Sequence, residues 1–397
     1  MRILYHHRTL GDGAEGIHVR EMVRAFRSLG HEVKVIGPAG ETPPEKSKNF
    51  RLLDRLRRLI PSALYEILEM GYAPYIYFKV AREVRRYKPD FIYDRYITFN
   101  SGVVRAARRL KVPLCLEVNA PLAYERTGEQ DERLVFRSIA ARLETWIPTH
   151  ADHTVVVSTP LKQYLESVGV PKDKCIVMPN GVDPERFRPK QKNEDVQRKV
   201  GIPASAFVIG FTGILRPWHG LDLLIEAFDH LVQKGLDVAL LIVGDGPYRP
   251  TIERIASERG LSEKVFITGR VPHPMVPDYV ALFDAAVSPR ATFYASPMKV
   301  IEYMALGKPV VVPGTQNFLD IVDEGVNGVT FKEGDAGDMA RVLASLYERR
   351  EHCIELGKRA RQKVEVRLNW EWNAREVCKL FAADAAECPS AKVRRSA

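Results

Sequence analysis

The chain has 397 residues, 45% hydrophobic and 27% charged, with a formal net charge of +9. That length is too great for one hydrophobic core and predicts two domains, and the composition excludes disordered and fibrous classes. No uncharged apolar stretch is long enough to span a bilayer. Zinc-finger spacing, RNA-binding aromatic motifs and heptad-coupled basic regions are all absent, which argues against nucleic acid as the partner of the positive charge.

The N-terminus, Met1 to Arg8, lacks the apolar core of a signal peptide and reads as a first strand. Five cysteines, Cys115, Cys175, Cys353, Cys378 and Cys388, are scattered with no Cys-x-x-Cys pair. They fit a reducing, cytoplasmic setting better than a disulfide framework or a zinc site. Short apolar runs at Ile3–Tyr5, Val33–Ile36, Phe91–Tyr93, Leu114–Val118 and Thr154–Val157 alternate with helix-like segments. This is the pattern of a mostly parallel sheet covered by helices. Between the first strand and the amphipathic run Ile17–Leu29, which Gly30 closes, lies Gly11-Asp12-Gly13-Ala14-Glu15-Gly16. Such a turn lets a ligand approach the backbone, though its spacing is not the dinucleotide fingerprint, and a plain tight turn stays open.

Residues 43–90 differ in character. Arg51, Arg55, Arg57, Arg58, Lys79, Arg82, Arg85, Arg86 and Lys88 interleave with leucines and aromatics such as Leu64, Tyr72, Tyr75 and Phe78. Two readings stay open: a helical insertion with a solvated basic face, or a helix lying on an anionic membrane. The turn 177–184 and the polar stretch 186–199 suit a linker. A second alternation follows, with strands at Phe207–Phe211, Ala239–Val243, Lys264–Ile267, Ala285–Val287 and Val310–Val312. Three helices, Ala336–Tyr347, Glu351–Val366 and Glu371–Ala383, end the chain before a frayed tail from Cys388.

In the second half the predicted strand ends carry small-residue turns. They are Gly213 to Leu221 with Arg216 and His219, then Val243-Gly244-Asp245-Gly246-Pro247, then Gly269-Arg270-Val271. Open parallel sheets bind ligands at these carboxyl ends. The series culminates in Ser296-Pro297-Met298-Lys299-Val300-Ile301-Glu302. Ser296 suits an N-cap, Pro297 a first helical position and Gly307 a helix end. A helix N-terminus can take phosphate, and Glu302, one turn in on the face of Met298 and Lys299, can accept two hydrogen bonds from a ribose diol. An ordinary capped helix with a solvated glutamate is the alternative.

The order Gly213…Trp218-His219-Gly220, Val243-Gly244-Asp245-Gly246-Pro247, Ser296-Pro297-Met298-Lys299…Glu302…Gly307-Lys308-Pro309 resembles the family-four glycosyltransferases of the GT-B fold. The loop 11–16 with His18, and Pro179-Asn180-Gly181-Val182-Asp183, match that family too. The resemblance covers nearly the whole chain. It implies an α/β, GT-B architecture of two Rossmann-like parallel-sheet domains facing across a cleft. The expected domains are 1–185 on the acceptor side, with the basic insertion near 43–90, and 186–369 for the nucleotide-sugar. Residues 370–397 would supply a helix returning to the first domain.

The resemblance further implies retention of anomeric configuration, a nucleotide-diphosphate sugar donor (UDP-linked as the first expectation) and no metal or other cofactor. No Asp-x-Asp pair is present to hold a divalent ion. Glu302 would hold the donor ribose, Gly13 would approach the donor phosphates, and Gly269, Arg270 and Val271 would sit beside the base. Ser296, Pro297, Met298, Gly244 and Gly246 complete the expected donor site. Three departures bear on catalysis. Tyr294 stands where the family usually has a first glutamate, and His219 replaces a lysine. Charge balance on the leaving group then falls to Arg216, with His219 and Lys299. Asn119, in Leu116-Glu117-Val118-Asn119, stands where many members have a histidine near the reacting sugar. Glu117 is expected on the other face of its strand.

The expected acceptor is a glycan, a lipid-linked species or a small molecule, and the expected location is cytoplasmic, with a peripheral position on the inner membrane face if the basic segment docks there. A sugar-nucleotide epimerase of the same fold, or a non-catalytic nucleotide-sugar-binding partner of a membrane assembly, remain as alternatives.

Overall fold

A computed structural model describes residues 1–9, 13–38, 60–128 and 134–387. Gly11, Asp12, Cys388 and the basic residues Arg51, Arg55, Arg57 and Arg58 lie outside the described residues. The chain divides into two compact units, Met1–Met178 together with the segment from Trp370 onward, and Pro179–Asn369.

The first unit is built on six parallel strands: β1 (Arg2–His6), β2 (Glu32–Ile36), β3 (Phe91–Arg95), β4 (Leu114–Val118), β5 (His153–Val156) and β6 (Cys175–Val177), in the order β2-β1-β3-β4-β5-β6. Every residue of β4 is buried, as a strand covered on both faces by helices must be. The helix Ala14–Ser28 ends at Gly30, whose φ of 81° is the left-handed form that terminates helices. The last helix, Trp370–Glu387, belongs to this unit. Its Phe381 stacks on Phe91 at 4.2 Å, and Trp370 meets His18 at 4.5 Å. Within the segment 43–90 one long helix, Ser62–Tyr87, is described, and it contains Pro74.

The second unit has β7 (Phe207–Thr212), β8 (Val238–Val243), β9 (Val265–Ile267), β10 (Ala285–Val287), β11 (Val310–Pro313) and β12 (Val329–Phe331), all parallel, in the order β12-β11-β10-β7-β8-β9. Alternate residues of β7 feed two cores: Phe207, Ile209 and Phe211 pack on one side, and Val208 on the other. The helix Leu221–Gln233 closes the first core with Leu224, Ile225, Phe228 and Leu231. The helix Met298–Ala305 closes the second with Val300, Ile301, Tyr303 and Met304. Each such side chain is worth about 1.5–3 kcal/mol of transfer from water. Strand order reverses between β7 and β10, and a doubly wound sheet offers its ligand crevice at that point.

Two strands, β6 and β12, go beyond the ten expected; each has only three residues. The polar stretch after residue 186 is not a bare linker, since it contains the buried Phe187 and the helix Glu194–Val200, capped by Asn193.

Candidate functional site

The site begins where the chain leaves β7 and β8. Gly213 and Gly244 have φ of 143° and 146°, and a Cβ on Gly244 would lie 2.0 Å from the Gly213 carbonyl oxygen. A Cβ on Gly246 would lie 2.4 Å from the Leu215 oxygen. The two loops therefore lie backbone against backbone, joined by Gly213 N–H to Val243 O (3.0 Å) and Leu215 N–H to Asp245 O (3.0 Å). Gly244 also bridges Gly269, while Arg270 is exposed and Val271 packs against the second core. Gly244 and Gly246 thus shape the floor of the site by letting Gly213 and Leu215 come close.

The helix Met298–Ala305 is pinned to the end of β7 by Tyr303, whose hydroxyl accepts the Thr212 N–H (2.6 Å) and meets the Thr212 hydroxyl (2.9 Å). Ser296 does not cap this helix, contrary to the sequence expectation, and Pro297 occupies the cap position rather than the first turn. Ser296 instead holds the turn 179–184. Its Oγ accepts the Asn180 N–H (3.0 Å) and its carbonyl the Asn180 amide (2.9 Å). An unpaired backbone N–H elsewhere outbids the helix for the hydroxyl, a competition that local sequence does not reveal.

Lys299 points back from this helix to Gly213, where a Cβ would stand 3.1 Å from Nζ. The ammonium lies 4.2 Å from the Phe211 ring centroid and, fully enclosed, has no hydrogen-bond partner. Burial lowers its pKa to about 7 against the opposing charge of Glu302. His219 lies near the same ring, 5.7 Å from Phe211. Burial, then the Lys299 charge, push its pKa down to about 3, so it is a neutral ring and not the shared cation expected from the sequence. Arg216, half-buried, lies over Trp218 at 5.4 Å. Among the described residues of this unit, the buried side-chain atoms lacking partners are Asn180 Oδ1, His219 Nδ1, Asp222 Oδ1, Ser288 Oγ and Lys299 Nζ. Ser288 directly follows β10 and Gly213 directly follows β7, so Ser288 and Lys299 bracket the switch point.

Glu302 is mostly buried and faces His273 Nε2 at 3.4 Å. On the other side of the ring, Arg186 Nη2 contacts His273 Nδ1. A guanidinium can only donate, so Nδ1 accepts and the ring hydrogen sits on Nε2, facing the carboxylate. Neither Arg186 nor His273 was singled out from the sequence; they lie far from Glu302 in the chain and carry no motif spacing. Tyr294 is buried.

In the first unit, Asn119 follows β4 and donates to Glu117 Oε1 at 2.8 Å. The expected separation of Glu117 from Asn119 is thus corrected: side chains two residues apart along a strand direction share a face, so alternation itself brings the two together. His18 pairs with the same oxygen. Burial opposes ionisation of Glu117, but the charges of His18 and Arg95 and hydrogen bonds from His18 and Asn119 prevail and hold it at about 2. Beside it, His6 binds Asp94 (2.6 Å) and the Tyr72 hydroxyl (3.0 Å). Gly13 precedes the helix of His18 and is exposed, with open space at its Cβ position. Among the described residues, no group of three or more His, Cys, Asp or Glu side chains is placed to hold a metal ion.

Family models match both halves, "Glycosyltransferase Family 4" over residues 15–186 and "Glycosyl transferases group 1" over residues 192–363. A sulfoquinovosyl transferase of Arabidopsis thaliana is 24% identical over 89% of this chain and 67% of its own length. A D-inositol 3-phosphate glycosyltransferase of Corynebacterium urealyticum is 30% identical over 53% of this chain and only 51% of its own. A GDP-mannose-dependent alpha-mannosyltransferase of Mycobacterium tuberculosis is 26% identical over 80% of this chain and 79% of its own length. An Anabaena protein crystallised with UDP superposes with a TM-score of 0.72 at 18% identity, covering 96% of this chain and 100% of that one. These comparisons and the two doubly wound sheets agree on the GT-B fold, and the chain belongs to the family-four glycosyltransferases, its second unit to glycosyl transferases group 1.

Proposed function

We propose that the chain is a retaining glycosyltransferase that takes a nucleotide-diphosphate sugar, UDP-linked, and works without a metal. The observation that carries this reading is the buried, partnerless ammonium of Lys299, set against Gly213 at the switch point, with Glu302 one turn further along the same helix. A buried ammonium without a hydrogen-bond partner is costly even with the attraction of Glu302, and an incoming diphosphate supplies one. Lys299, Arg216 and the start of the helix at Met298 then balance the charge that grows on the leaving group. Glu302, steadied by His273, keeps acceptor capacity for a ribose diol. His219 enters as a neutral hydrogen-bonding ring, and Asn119 as a contact to a sugar hydroxyl.

In the proposed reaction the acceptor oxygen attacks the anomeric carbon from the face that the diphosphate vacates. The bond from that carbon to the phosphate oxygen breaks, the diphosphate leaves with its electron pair, and a phosphate oxygen takes up the hydroxyl proton. Positioning and leaving-group stabilisation supply the rate. UDP is favoured by the fold neighbours solved with UDP and with UDP-glucose. A guanine base is the second reading, favoured by relatives named as GDP-mannose-dependent. The acceptor is a glycan, a lipid-linked species or a small alcohol, and a lipid-linked one would place the enzyme peripherally at the inner face of the cytoplasmic membrane.

Thermal unfolding with UDP, UDP-sugars, GDP and GDP-mannose tests the donor, because a ligand of the native state raises the melting temperature. A rise with uridine nucleotides alone supports the first reading, and a rise with guanine nucleotides alone replaces it. Acceptor-dependent release of the nucleoside diphosphate separates a transferase from an epimerase or a silent binder. The anomeric configuration of the product, read by proton NMR, decides retention.

A further inference from the structure

The helix Ser62–Tyr87 departs from a helix on a globular surface, which buries an apolar side and shows a polar one: it carries apolar residues on both sides. It turns two carboxylates inward. Glu66 accepts the N–H groups of Val135 (2.7 Å) and Phe136 (2.8 Å), and Glu83 takes the Lys34 ammonium at 2.6 Å. Its large outward residues up to Phe78 are apolar: Leu64, Ile67, Leu68, Tyr75 and Phe78 are 49 to 70% exposed. Steps of three and four place positions 64, 67, 68, 71, 75 and 78 on one stripe, about 21 Å long at about 1.5 Å per residue. The stripe runs into the exposed Arg82, Arg85 and Arg86, and no exposed position of this helix is acidic. Its inner side is firmly seated. Ile76, Val80 and Val84 are buried, and Gly102 lets the Ala73 carbonyl approach so closely that a Cβ there would lie 2.1 Å from the oxygen.

We infer that this face docks the protein on an anionic lipid bilayer, the helix lying in the interfacial plane. Leu64, Ile67, Leu68, Tyr75 and Phe78 enter the boundary between headgroups and acyl chains, and Arg82, Arg85 and Arg86 meet lipid phosphates. Charge selects this occupant. A second copy of the chain set face to face on this helix would bring matching apolar residues, but it would also bring three more arginines and no exposed carboxylate on that helix to answer them. The inference deepens the membrane-side part of the proposed function by naming the surface, and it does not depend on the donor site.

The test is co-sedimentation with vesicles of phosphatidylcholine alone and of phosphatidylcholine containing phosphatidylglycerol. The protein is expected to partition onto the anionic vesicles and to remain free of the neutral ones. Leu68→Ser with Phe78→Ser should abolish partitioning, and Arg82→Ala and Arg85→Ala should each weaken it about fivefold. All four positions are exposed, so the variants should keep the melting temperature of the unaltered chain. Any nucleotide-induced rise should also be the same, which separates failure here from failure of the donor reading. Absence of binding to anionic vesicles, or binding that the four substitutions leave unchanged, overturns the inference. So does a dimer in sedimentation that Leu68→Ser with Phe78→Ser converts to monomer.

Discussion

Replacing Lys299 by methionine separates what its charge does for the ligand from what it costs the fold. The side chain's pKa falls from 10.5 to about 7, with burial as the main cause. At about 1.4 kcal/mol per unit, that is a penalty of about 5 kcal/mol on the charged form. Near neutral pH the folded chain avoids the penalty only by surrendering the proton, so nearly all of it persists relative to the unfolded chain. Against it stands the contact with Phe211 at 4.2 Å, worth about 0.5–2 kcal/mol, together with imperfect packing of the thioether. A net stabilisation of about 1–3 kcal/mol is expected, and for a unit of this size each kcal/mol moves the midpoint by about 2–4 °C. Lys299→Met should therefore melt higher than the unaltered protein when free of ligand. It should gain clearly less from UDP, because only Arg216 and the start of the helix are left to receive the diphosphate. Scanning fluorimetry of both proteins, with and without UDP, reads the two effects together. A lower ligand-free melting temperature, or a UDP-induced rise of undiminished size, would refute the reasoning.

The same ionisation sets a pH dependence. Only the protonated amine attracts a diphosphate, so UDP affinity measured calorimetrically should fall as pH rises through 7. The stability of the ligand-free protein should move the other way and rise from pH 7 towards 10.5, because there the unfolded chain holds a proton that the folded one has lost. Arg216→Ala should cut turnover about a hundredfold to a thousandfold with the melting temperature unchanged; near-normal turnover would remove Arg216 from the mechanism. Gly244→Ala puts a Cβ 2.0 Å from the Gly213 oxygen at a φ of 146°. It should cost about 2–4 kcal/mol in urea unfolding, and an unchanged midpoint would mean the two loops do not need their contact. His273→Phe keeps the ring's bulk and removes its hold on Glu302, so it should weaken the UDP-induced rise while leaving ligand-free melting alone; a fall in ligand-free melting would make His273 a fold residue.

The alternation of short apolar strands with amphipathic helices made both sheets legible, because buried parallel strands and one-sided helices follow simple periods. The edge strands Cys175–Val177 and Val329–Phe331 were not legible, the first because it runs straight into the turn at Pro179-Asn180-Gly181 and the second because Thr330 breaks its apolar run. Length alone does not explain it, since Val265–Ile267 and Ala285–Val287 are equally short. At the site, Glu302 and Lys299 could be placed on one helix face by spacing alone. Whether the ammonium of Lys299 was solvated or enclosed could not be judged, because Gly213 and Phe211, which enclose it, come from another strand. The same reason hid the contact from Arg186 through His273 to Glu302, and the Ser296 hydroxyl's choice of Asn180 over its own helix. Local rules name the groups a residue could satisfy, and tertiary structure decides which of them is nearest.

The two carboxyl edges differ in how their charges are answered, and the difference bears on what each edge receives. At the end of β4 one oxygen of the Glu117 carboxylate is met by His18 and Asn119. Its Oε2 and the Arg95 Nη1 are buried without a hydrogen bond but carry opposite charges, Nη1 lying 4.0 Å from Oε1. At the ends of β1 and β3 His6 and Asp94 meet each other. A neutral hydroxyl can add to such a set without disturbing its balance. Between β7 and β10 the Lys299 ammonium stands with no partner, and Ser288 Oγ after β10 and His219 Nδ1 in the loop after β7 also have none. Tyr303 and the backbone contact at Gly213 hold that helix and loop in place without any ligand, so the unmet groups are kept in position at a standing cost in stability. Folded chains tolerate such a conflict between local satisfaction and global packing chiefly where a ligand resolves it. A dianionic diphosphate would resolve this one, whereas a neutral acceptor hydroxyl would not. On charge alone, then, the proposed diphosphate suits the second sheet better than the first.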